Sequence, residues 1–569
     1  MTTIPNKELT LADVREQLAK SSIYSEKKRR RMDNSFKAIW RYTGLQLEKI
    51  PATMAGLSEV VNKIEPAAHG VGRPTIINMR NHIMHAMKQT GAVPELQGYR
   101  ERRPPLSPMW ALYAQRLTTR HSKTMAWPLM HFANARGVAP RDIDDAQLTL
   151  LSEHLRATSP RPNQYGFLRK IVLNWNHLRL QMPDLDLKEL TPPPARTRRL
   201  PFALTDFPQS FQDSVGGYRQ WLVQEDVFDD DAKERKVAAS TADNYIRRIH
   251  RCASHLANSG VAVSCFTDLR VLVEIEHFKT VLRQLQANDK SAQQTEAFHS
   301  AITLLQVAGW LKCPQDQLDK LVKLKNKVPR PGMTMTDKNK KLVSQFDDPA
   351  VLQRLLDAPK RIWEKLARDK RLGARTRLAQ AQAALGLSIL TFMPLRLGNL
   401  TDLKFGKHLV LHPGGTSSLI IPAEDTKARR PIEFNIPEPL ATMLFEYYTD
   451  IAPAAIGTRP DSLFCRTDGA PKGFAQVRYL VQTYFKQQVG FHMNPHAFRH
   501  LCAKLILDRN PGAHTLVQEL LGHKSVETST AFYSGLNSRR AGAHHQALIS
   551  EFLASQPPAP FNRRRKIGR

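Results

Sequence analysis

The chain has 569 residues and carries 83 lysines and arginines against 52 acidic residues, a formal net charge of +31. This length is too great for one hydrophobic core, so several domains are expected, and a hydrophobic fraction of 41% is sufficient for globular folding. Such an excess of positive charge disfavours an ordinary solubilising surface, which is acidic or balanced, and favours a polyanionic partner such as nucleic acid.

Cysteine usage and the distribution of apolar residues exclude other classes of protein. The five cysteines are scattered, without CxxC pairs or a spacing typical of zinc sites, and they suit a reducing cytoplasm. The first residues lack the apolar core of a signal peptide, and no apolar run reaches the roughly 18 residues that a membrane span requires. We therefore expect an intracellular, soluble protein with no membrane partner.

Three helical blocks with few strand signals occupy the first part of the chain. Apolar residues recur at helical spacing through residues 1–100, which predict an N-terminal helical module. Residues 101–200 predict a second module followed by a linker rich in proline and arginine, and residues 201–330 predict a third helical domain. We place four tryptophans in the apolar pattern or core of the first two modules: Trp40, Trp110, Trp127 and Trp175.

The pattern of apolar and charged residues changes in the C-terminal region. Residues 331–345 are rich in lysine and predict a linker, residues 346–555 predict one mostly helical domain, and residues 556–569 form a basic tail. Within the domain, three short strand-like runs give the one convincing sheet signal, at residues 408–411, 419–421 and 431–436. The predicted fold class is therefore mainly α, with helical N-terminal modules and a mostly α C-terminal domain that contains a small antiparallel β-hairpin sheet.

The densest chemistry lies near the C-terminal end of this domain. Asn494 and Pro495 predict a helix start, with asparagine as the N-cap and proline in the first helical position. His496 and Arg499, three residues apart, share a face at the N-terminal end of this helix, where unpaired amides and the helix dipole favour an anion. A second helix is predicted to stop at Gly522, a C-cap.

Six residues in chain order resemble the pattern of the tyrosine recombinase (phage integrase-like) family. That pattern is an early arginine, a hairpin lysine, His-x-x-Arg, Leu-Gly-His and a tyrosine nucleophile. The corresponding residues here are Arg396, Lys427, His496, Arg499, His523 and Tyr533. The resemblance covers about residues 370 to 540. In two departures, Asn399 stands where the family usually has a supporting acid, and the interval from His523 to Tyr533 is one residue longer than the commonest spacing.

The resemblance implies cleavage and rejoining of a DNA phosphodiester. Tyr533 would attack the phosphate and form a 3′-phosphotyrosine, which conserves the bond energy so that religation needs no ATP. Arg396, Arg499 and His523 would stabilise the doubly charged phosphorane, because fork-shaped guanidiniums contact non-bridging oxygens in pairs. An amide at Asn399 could hydrogen-bond the groups that the family's acid supports.

Proton transfer falls to the two remaining residues of the set. Lys427 would protonate the leaving 5′-oxygen, and His496 would act as a base or proton relay near the tyrosine. Arg429 and Arg430 adjoin Lys427, and the register of the hairpin is not readable from the sequence. We expect no cofactor and no metal, because the nearby carboxylates do not form a two-metal arrangement. These carboxylates are Asp402, Glu424 and Asp425.

The resemblance also implies partners and alternatives. Residues 201–330 fit a core-binding domain that clamps double-stranded DNA together with the catalytic domain, and assembly as a homotetramer on paired recombination sites is expected. An accessory recombinase or a DNA-bending protein is a further candidate partner. We interpret the protein as the integrase of a mobile element. We expect it in a prokaryotic-type cytoplasm, associated with the nucleoid. A type IB topoisomerase and a decayed DNA-binding accessory protein are the alternatives.

Overall fold

A computed structural model describes most of the chain, in two compact units. The described residues are 9–93, 104–161, 163–194, 200–224, 236–288, 295–332, 334–369, 371–412, 414–426, 429–510, 512–522, 530, 546 and 549–551. One unit combines Met1–Ala195 with Thr334–Arg569, and the other is Arg196–Met333. Among the described residues, no helix is both long enough and apolar enough to cross a membrane.

The first four helices enclose a core of their own. They are α1 (Leu11–Lys20), α2 (Glu26–Thr43), α3 (Met54–Val61) and α4 (Arg73–Gln89). A reciprocal capping box begins α1, since Thr10 Oγ1 accepts the Asp13 amide at 3.3 Å and the Asp13 carboxylate accepts the Thr10 amide at 2.8 Å. Buried Phe36 and Ile39 of α2 face Ile83 of α4 in the same apolar cluster. We call residues 9–93 the first module.

Four further helices follow in the same unit, around a core rich in aromatic rings. They are α5 (Pro108–Gln115), α6 (Arg120–Ala135), α7 (Asp145–Thr158) and α8 (Gln164–Gln181). Trp110, Tyr113 and Trp175 meet with ring centroids 5.4 to 6.2 Å apart. This spacing is that of packed aromatic residues, so these rings stabilise the fold.

Of the three tryptophans predicted to lie in the core, two are placed correctly and one is not. Trp110 and Trp175 are buried, and their indole N–H groups donate to backbone carbonyls at 2.8 and 2.9 Å. Trp127 is 43% exposed, so its core placement was wrong, and Trp40, which belongs to the helical pattern of α2, is 63% exposed. Trp40 follows buried Ile39 by one position, which turns it about 100° around the helix axis and away from the apolar face.

The second unit, Arg196–Met333, is a separate helical body. Its helices are α9 (Gln209–Val223), α10 (Ala239–Asn258), α11 (Ile275–Asn288), α12 (Thr295–Trp310) and α13 (Gln315–Asn326). Phe211, Tyr218, Phe266 and Phe278 are fully buried in its core. The boundaries and the DNA-binding role predicted for this region stay predictions.

The C-terminal part of the first unit is built around one buried helix. The helices before the sheet are α14 (Asp337–Val343), α15 (Pro349–Leu356), α16 (Ala358–Arg368), α17 (Ala374–Phe392) and α18 (Leu397–Thr401). Nearly every residue of α17 from Leu378 to Leu390 is buried, and neighbouring helices pack on several sides of it. A helix that is apolar all round belongs at the centre of a core, so α17 forms the spine of this domain.

A three-stranded antiparallel sheet, in the order β1-β2-β3, lies beside this helical core. The strands are β1 (Leu409–Val410), β2 (Ser418–Ile421) and β3 (Ile432–Asn435). Leu419 pairs with Phe434 and Ile421 pairs with Ile432, so the two buried β2 side chains sit on one face. The predicted fold class, mainly helical with a small antiparallel sheet, is confirmed.

The remaining helices carry the predicted chemistry. They are α19 (Glu438–Glu446), which continues through a π-helical turn into α20 (Ala452–Ile456), then α21 (Phe474–Val489), α22 (His496–Arg509) and α23 (His514–Leu521). Pro495 occupies the N-cap position of α22, one residue later than predicted, yet Asn494 Oδ1 still accepts the Ala497 amide at 3.0 Å. Gly522 ends α23 with a φ of +58°, which confirms the predicted C-cap.

A small satellite core joins α14, α22 and α23. Val343, Leu507 and Val517 are fully buried in it. Lys504 of α22 is nearly buried and pairs with Asp347 at 2.6 Å and with Asp508 one turn further along the helix. Apolar packing therefore joins α14, α22 and α23, and the partly buried ion cluster ties α22 to the segment that follows α14.

Candidate active site

Arg396 is placed by the end of the buried spine helix. The backbone leaves α17 through buried Met393 and Leu395, and Arg396 then takes the N-cap position of α18. Its Nη2 atom donates to the carbonyl of Gly522 at 3.5 Å. The first predicted arginine therefore reaches the end of α23, far away in the sequence.

Arg499 lies in the first turn of α22 and is only 5% exposed. Its Nη1 atom donates to the carbonyl of Pro394 at 2.7 Å, and its Nη2 atom donates to the carbonyl of Leu521. The same guanidinium thus binds the loop before Arg396 and the last residue of α23. The structure brings the two predicted arginines together.

The C-terminal end of α23 explains how two positive side chains tolerate each other there. The last carbonyls of a helix have no partner within the helix and carry a partial negative charge. The carbonyls of Leu521 and Gly522 accept from Arg499 and Arg396, respectively. The left-handed conformation of Gly522 is the usual end of such a helix, so this arginine pair depends on the Leu-Gly turn.

The two arginines line a cleft with a volume of about 530 Å³. One wall is formed by the end of α23 and by Arg396 and Arg499, and the other by the β2–β3 turn and strand β3. Thr426 and Arg430 face the cleft from the turn. Two fixed guanidiniums in an open cleft form a site for an anion such as a phosphate.

His496 stands beside these arginines at the start of α22. Burial of the ring and the positive charges of Arg499 and Arg396 lower the pKa of His496 below its ordinary value. Its ring meets the ring of buried His500 edge to face, with centroids 4.9 Å apart. A lowered pKa keeps the imidazole neutral near pH 7, and a neutral imidazole can accept a proton.

Arg430 belongs to the cleft, although the predicted site did not include it. The hydroxyl of buried Thr426 accepts the Arg430 amide at 3.1 Å and donates to the Arg430 carbonyl at 2.7 Å, which closes the turn between β2 and β3. Arg429 takes a positive φ of +54° in this turn and does not line the cleft. The run of basic residues around Lys427 was the signal, but only the register of the hairpin shows which of them faces the anion site.

Three predicted residues lie outside the described part of the chain: Lys427, His523 and Tyr533. Their roles stay predictions. The described neighbours that adjoin two of them in sequence, Thr426 and Gly522, both line the cleft.

Two polar residues near the predicted site, Asp425 and Asn399, differ in whether their side chains have partners among the described residues. Asp425 pairs with Lys407 at 2.5 Å and with His408 at 3.1 Å, and both hydrogen bonds lower the pKa of its carboxyl. Asn399 is nearly buried, and its Nδ2 atom has no hydrogen-bond partner among the described residues. The support that we predicted Asn399 to give the site is therefore not seen in those residues. Within the same residues, no cluster of His, Cys, Asp and Glu has the makings of a metal site.

The C-terminal region of the chain is similar to known proteins. The sequence model of the phage integrase family matches residues 348–540. The chain is 36% identical over 73 residues to the tyrosine recombinase XerC of Treponema denticola, which covers 13% of this chain and 24% of that protein. It is 34% identical over 100 residues to XerC of Corynebacterium glutamicum, covering 18% and 30%. The chain thus spans less than a third of the length of either relative.

Two solved structures are also similar to this chain. One is the XerH site-specific recombinase bound to its difH substrate, with 16% identity, a TM-score of 0.35, and coverage of 56% of this chain and 90% of that chain. The other is a lambda integrase dimer bound to a COC′ core site, with 13% identity, a TM-score of 0.33, and coverage of 56% and 76%.

Proposed function

Residues 348–540 belong to the phage integrase family of tyrosine recombinases, and from this premise we propose that the protein is a site-specific DNA recombinase. The observation that carries the proposal is the pairing of Arg396 and Arg499 at one end of α23, in an open cleft. The substrate of such a site is a DNA phosphodiester, which agrees with the net charge of +31.

The arginine pair suits the charge that develops during phosphodiester cleavage. Attack on the phosphate gives a pentacoordinate phosphorane with two negative charges. Guanidiniums are charged at every physiological pH, and their fork of donors matches two non-bridging oxygens. Because Arg499 is already anchored on backbone carbonyls, it would need little rearrangement when the charge appears. His523 would add a further hydrogen bond.

We assign the steps in which bonds are made and broken to Tyr533 and Lys427, with His496 assisting. The Oη atom of Tyr533 attacks phosphorus, the bond from phosphorus to the 5′-oxygen breaks, and a 3′-phosphotyrosine forms. His496, kept neutral by its surroundings, accepts or relays the tyrosine proton, and Lys427 gives a proton to the leaving 5′-oxygen. Reversal of these steps by a new 5′-hydroxyl rejoins the strand, without metal, cofactor or ATP.

The wider assignment follows the same family. We propose that the protein is the integrase of a mobile element and acts on double-stranded DNA as a homotetramer on paired sites. The helical unit Arg196–Met333 would supply the core-binding domain, and an accessory recombinase or DNA-bending protein would be a further partner. Its place would be the nucleoid of a prokaryotic-type cytoplasm.

A nicked suicide duplex that carries the end of the element tests this proposal. Loss of the short fragment after cleavage traps the covalent intermediate, so the wild-type chain should form a protein–DNA adduct that resists denaturation. Tyr533→Phe should form none. No adduct with the wild type, or an adduct with Tyr533→Phe, would refute the nucleophile. Recombination between two such duplexes, compared with relaxation of a supercoiled plasmid, separates a recombinase from a topoisomerase.

A further inference from the structure

The first module touches the C-terminal domain directly, at the end of α21. The contact is made by a 3₁₀ turn, Pro66–His69, and by the residue before it. Glu65 pairs with Lys486 at 2.5 Å, and the two side chains are 26% and 44% exposed. Lys486 lies in the last turn of α21, where a positive charge also opposes the helix dipole favourably.

Gly490 is the centre of this contact and has no room for a side chain. It ends α21 with a φ of +103°, and its amide donates to the Lys486 carbonyl at 3.0 Å. A Cβ atom at Gly490 would lie 2.5 Å from the backbone nitrogen of Ala68 and 2.7 Å from its Cα atom. The two backbones therefore meet at a distance that only glycine permits.

The contact falls on the connector that leads from α21 into α22. Upstream, Arg354 Nε donates to the Val489 carbonyl at 3.2 Å. Downstream, Met493 is fully buried and Asn494 caps the first turn of α22. His496 follows two residues after Asn494, so the contact at Gly490 lies only six residues before the residue beside the arginine pair.

The position of the contact indicates support for the site and not obstruction of it. All the residues that line the cleft come from the C-terminal domain, and none comes from the described first module. The contact instead involves the connector that leads into α22, the helix that carries Arg499 of the cleft lining.

We propose that residues 9–93 dock in cis on the connector between α21 and α22, and that Gly490, Lys486 and Glu65 are positioning residues through which this docking holds His496 and Arg499 in place. The first module then sets the rate of strand cleavage without touching DNA at the cleft. This consequence rests on the proposed recombinase function, whereas the docking itself does not.

Substitution of Gly490 tests the backbone contact. Gly490→Ala adds a methyl group that collides with Ala68, and Gly457→Ala is its matched control. Gly457 also ends a helix with a positive φ, +85°, but has no atom within 4 Å of an added Cβ. Both variants bear the strain of a left-handed alanine. Only Gly490→Ala should speed amide hydrogen exchange in residues 490–494 and in residues 67–69 of the 3₁₀ turn.

Reversal of the ion pair tests the same contact without touching the backbone. Glu65→Lys should lower the rate of covalent adduct formation at saturating DNA about two- to fivefold, as expected for a partly exposed pair turned repulsive. The DNA concentration for half-saturation should not rise. Glu59→Lys makes the same charge change in the same module, on an exposed residue that pairs with Lys63, and should leave the rate unaltered.

The double reversal Glu65→Lys with Lys486→Glu provides the rescue. It restores opposite charges across the contact, so it should recover most of the lost rate, short of the small cost of an acid at the end of α21. Equal rates and equal hydrogen exchange in the wild type, Glu65→Lys and Gly490→Ala would overturn the docking. If the wild type forms no adduct, the proposed function fails, but the exchange measurements still decide the docking.

Discussion

At the scale of single residues, Arg430 shows that its position in the β2–β3 hairpin decides whether a basic residue reaches the cleft. Thr426 fixes the backbone of Arg430 at both its amide and its carbonyl, and the side chain faces the cleft that holds Arg396 and Arg499. Its neighbour Arg429 does not line that cleft. The two arginines carry the same charge, so any difference between them reports position alone.

We predict that Arg430→Gln weakens DNA binding about tenfold, the value of one hydrogen-bonded charge contact to a phosphate. Arg429→Gln, the matched control, should change affinity by less than about twofold. Fluorescence anisotropy with a labelled duplex measures both. Duplexes in which one phosphate is replaced by a neutral methylphosphonate then locate the contact. On the duplex that lacks the phosphate bound by Arg430, the substitution Arg430→Gln should cause no further loss of affinity. Equal losses for the two variants would remove Arg430 from the site.

The pKa of His496 gives a second prediction. Burial, Arg499 and Arg396 all lower it, so the folded chain releases this proton at a lower pH than an unfolded chain does. The stability that depends on neutral His496 is therefore lost as the pH falls below the unfolded value, about 6.5. Adduct formation should likewise lose its base only below that pH.

Removal of one cause of this shift checks its origin. Arg396→Met takes away a positive charge beside the imidazole, so the pKa of His496 should rise, as followed by an NMR titration of the histidine signals. Arg429→Gln should leave that pKa unchanged. An unaltered or lower pKa in Arg396→Met would contradict the electrostatic cause, whatever the activity of the variant.

At the scale of elements, the site depends on how α22 and α23 are held. Lys504 pairs with Asp347, which follows α14, and with Asp508 on its own helix. The Lys504 and Asp508 side chains are 6% and 7% exposed, so their charges are nearly removed from water. Such a pair stabilises little as a whole, but the loss of one member leaves a buried charge.

We predict that Lys504→Met lowers the free energy of unfolding by about 3 kcal/mol, because the nearly buried Asp508 loses its ion pair with Lys504. Lys504→Met combined with Asp508→Leu should recover most of that loss. Denaturant unfolding measures both. If the double variant is no more stable than the single one, the loss of the Lys504–Asp508 ion pair is not the cause.

Much of the element structure follows from the sequence, and particular residues show the limit. Helical periodicity predicted the buried faces of Phe36 and Ile39, and the glycine at position 522 predicted the end of α23, because these depend on neighbours a few residues away. Trp127 was placed wrongly because an apolar side chain of a helix is buried only if another element covers it. No local pattern reports that cover.

At the scale of the whole molecule, the net charge of +31 predicts how the protein meets DNA. Each phosphate that a lysine or arginine neutralises releases a condensed counterion, so affinity falls as salt rises. We predict that binding to a duplex of unrelated sequence weakens by about 10³-fold or more between 50 and 200 mM salt, as for a protein with at least six phosphate contacts. Thermal unfolding over the same range serves as a control, and a flat salt dependence would exclude an electrostatic DNA interface.

The sequence by itself determined the helical fold class, the small sheet and the chain order of the candidate residues. These follow from short-range periodicity, turn residues and the spacing of charged side chains along the chain. The tertiary structure decided that Arg396 and Arg499 share the carbonyls at the end of α23, that Arg430 and not Arg429 faces them, and that Ala68 reaches Gly490. Each of these is a contact between segments far apart in the chain, and the path of the backbone between them is set by packing in the core.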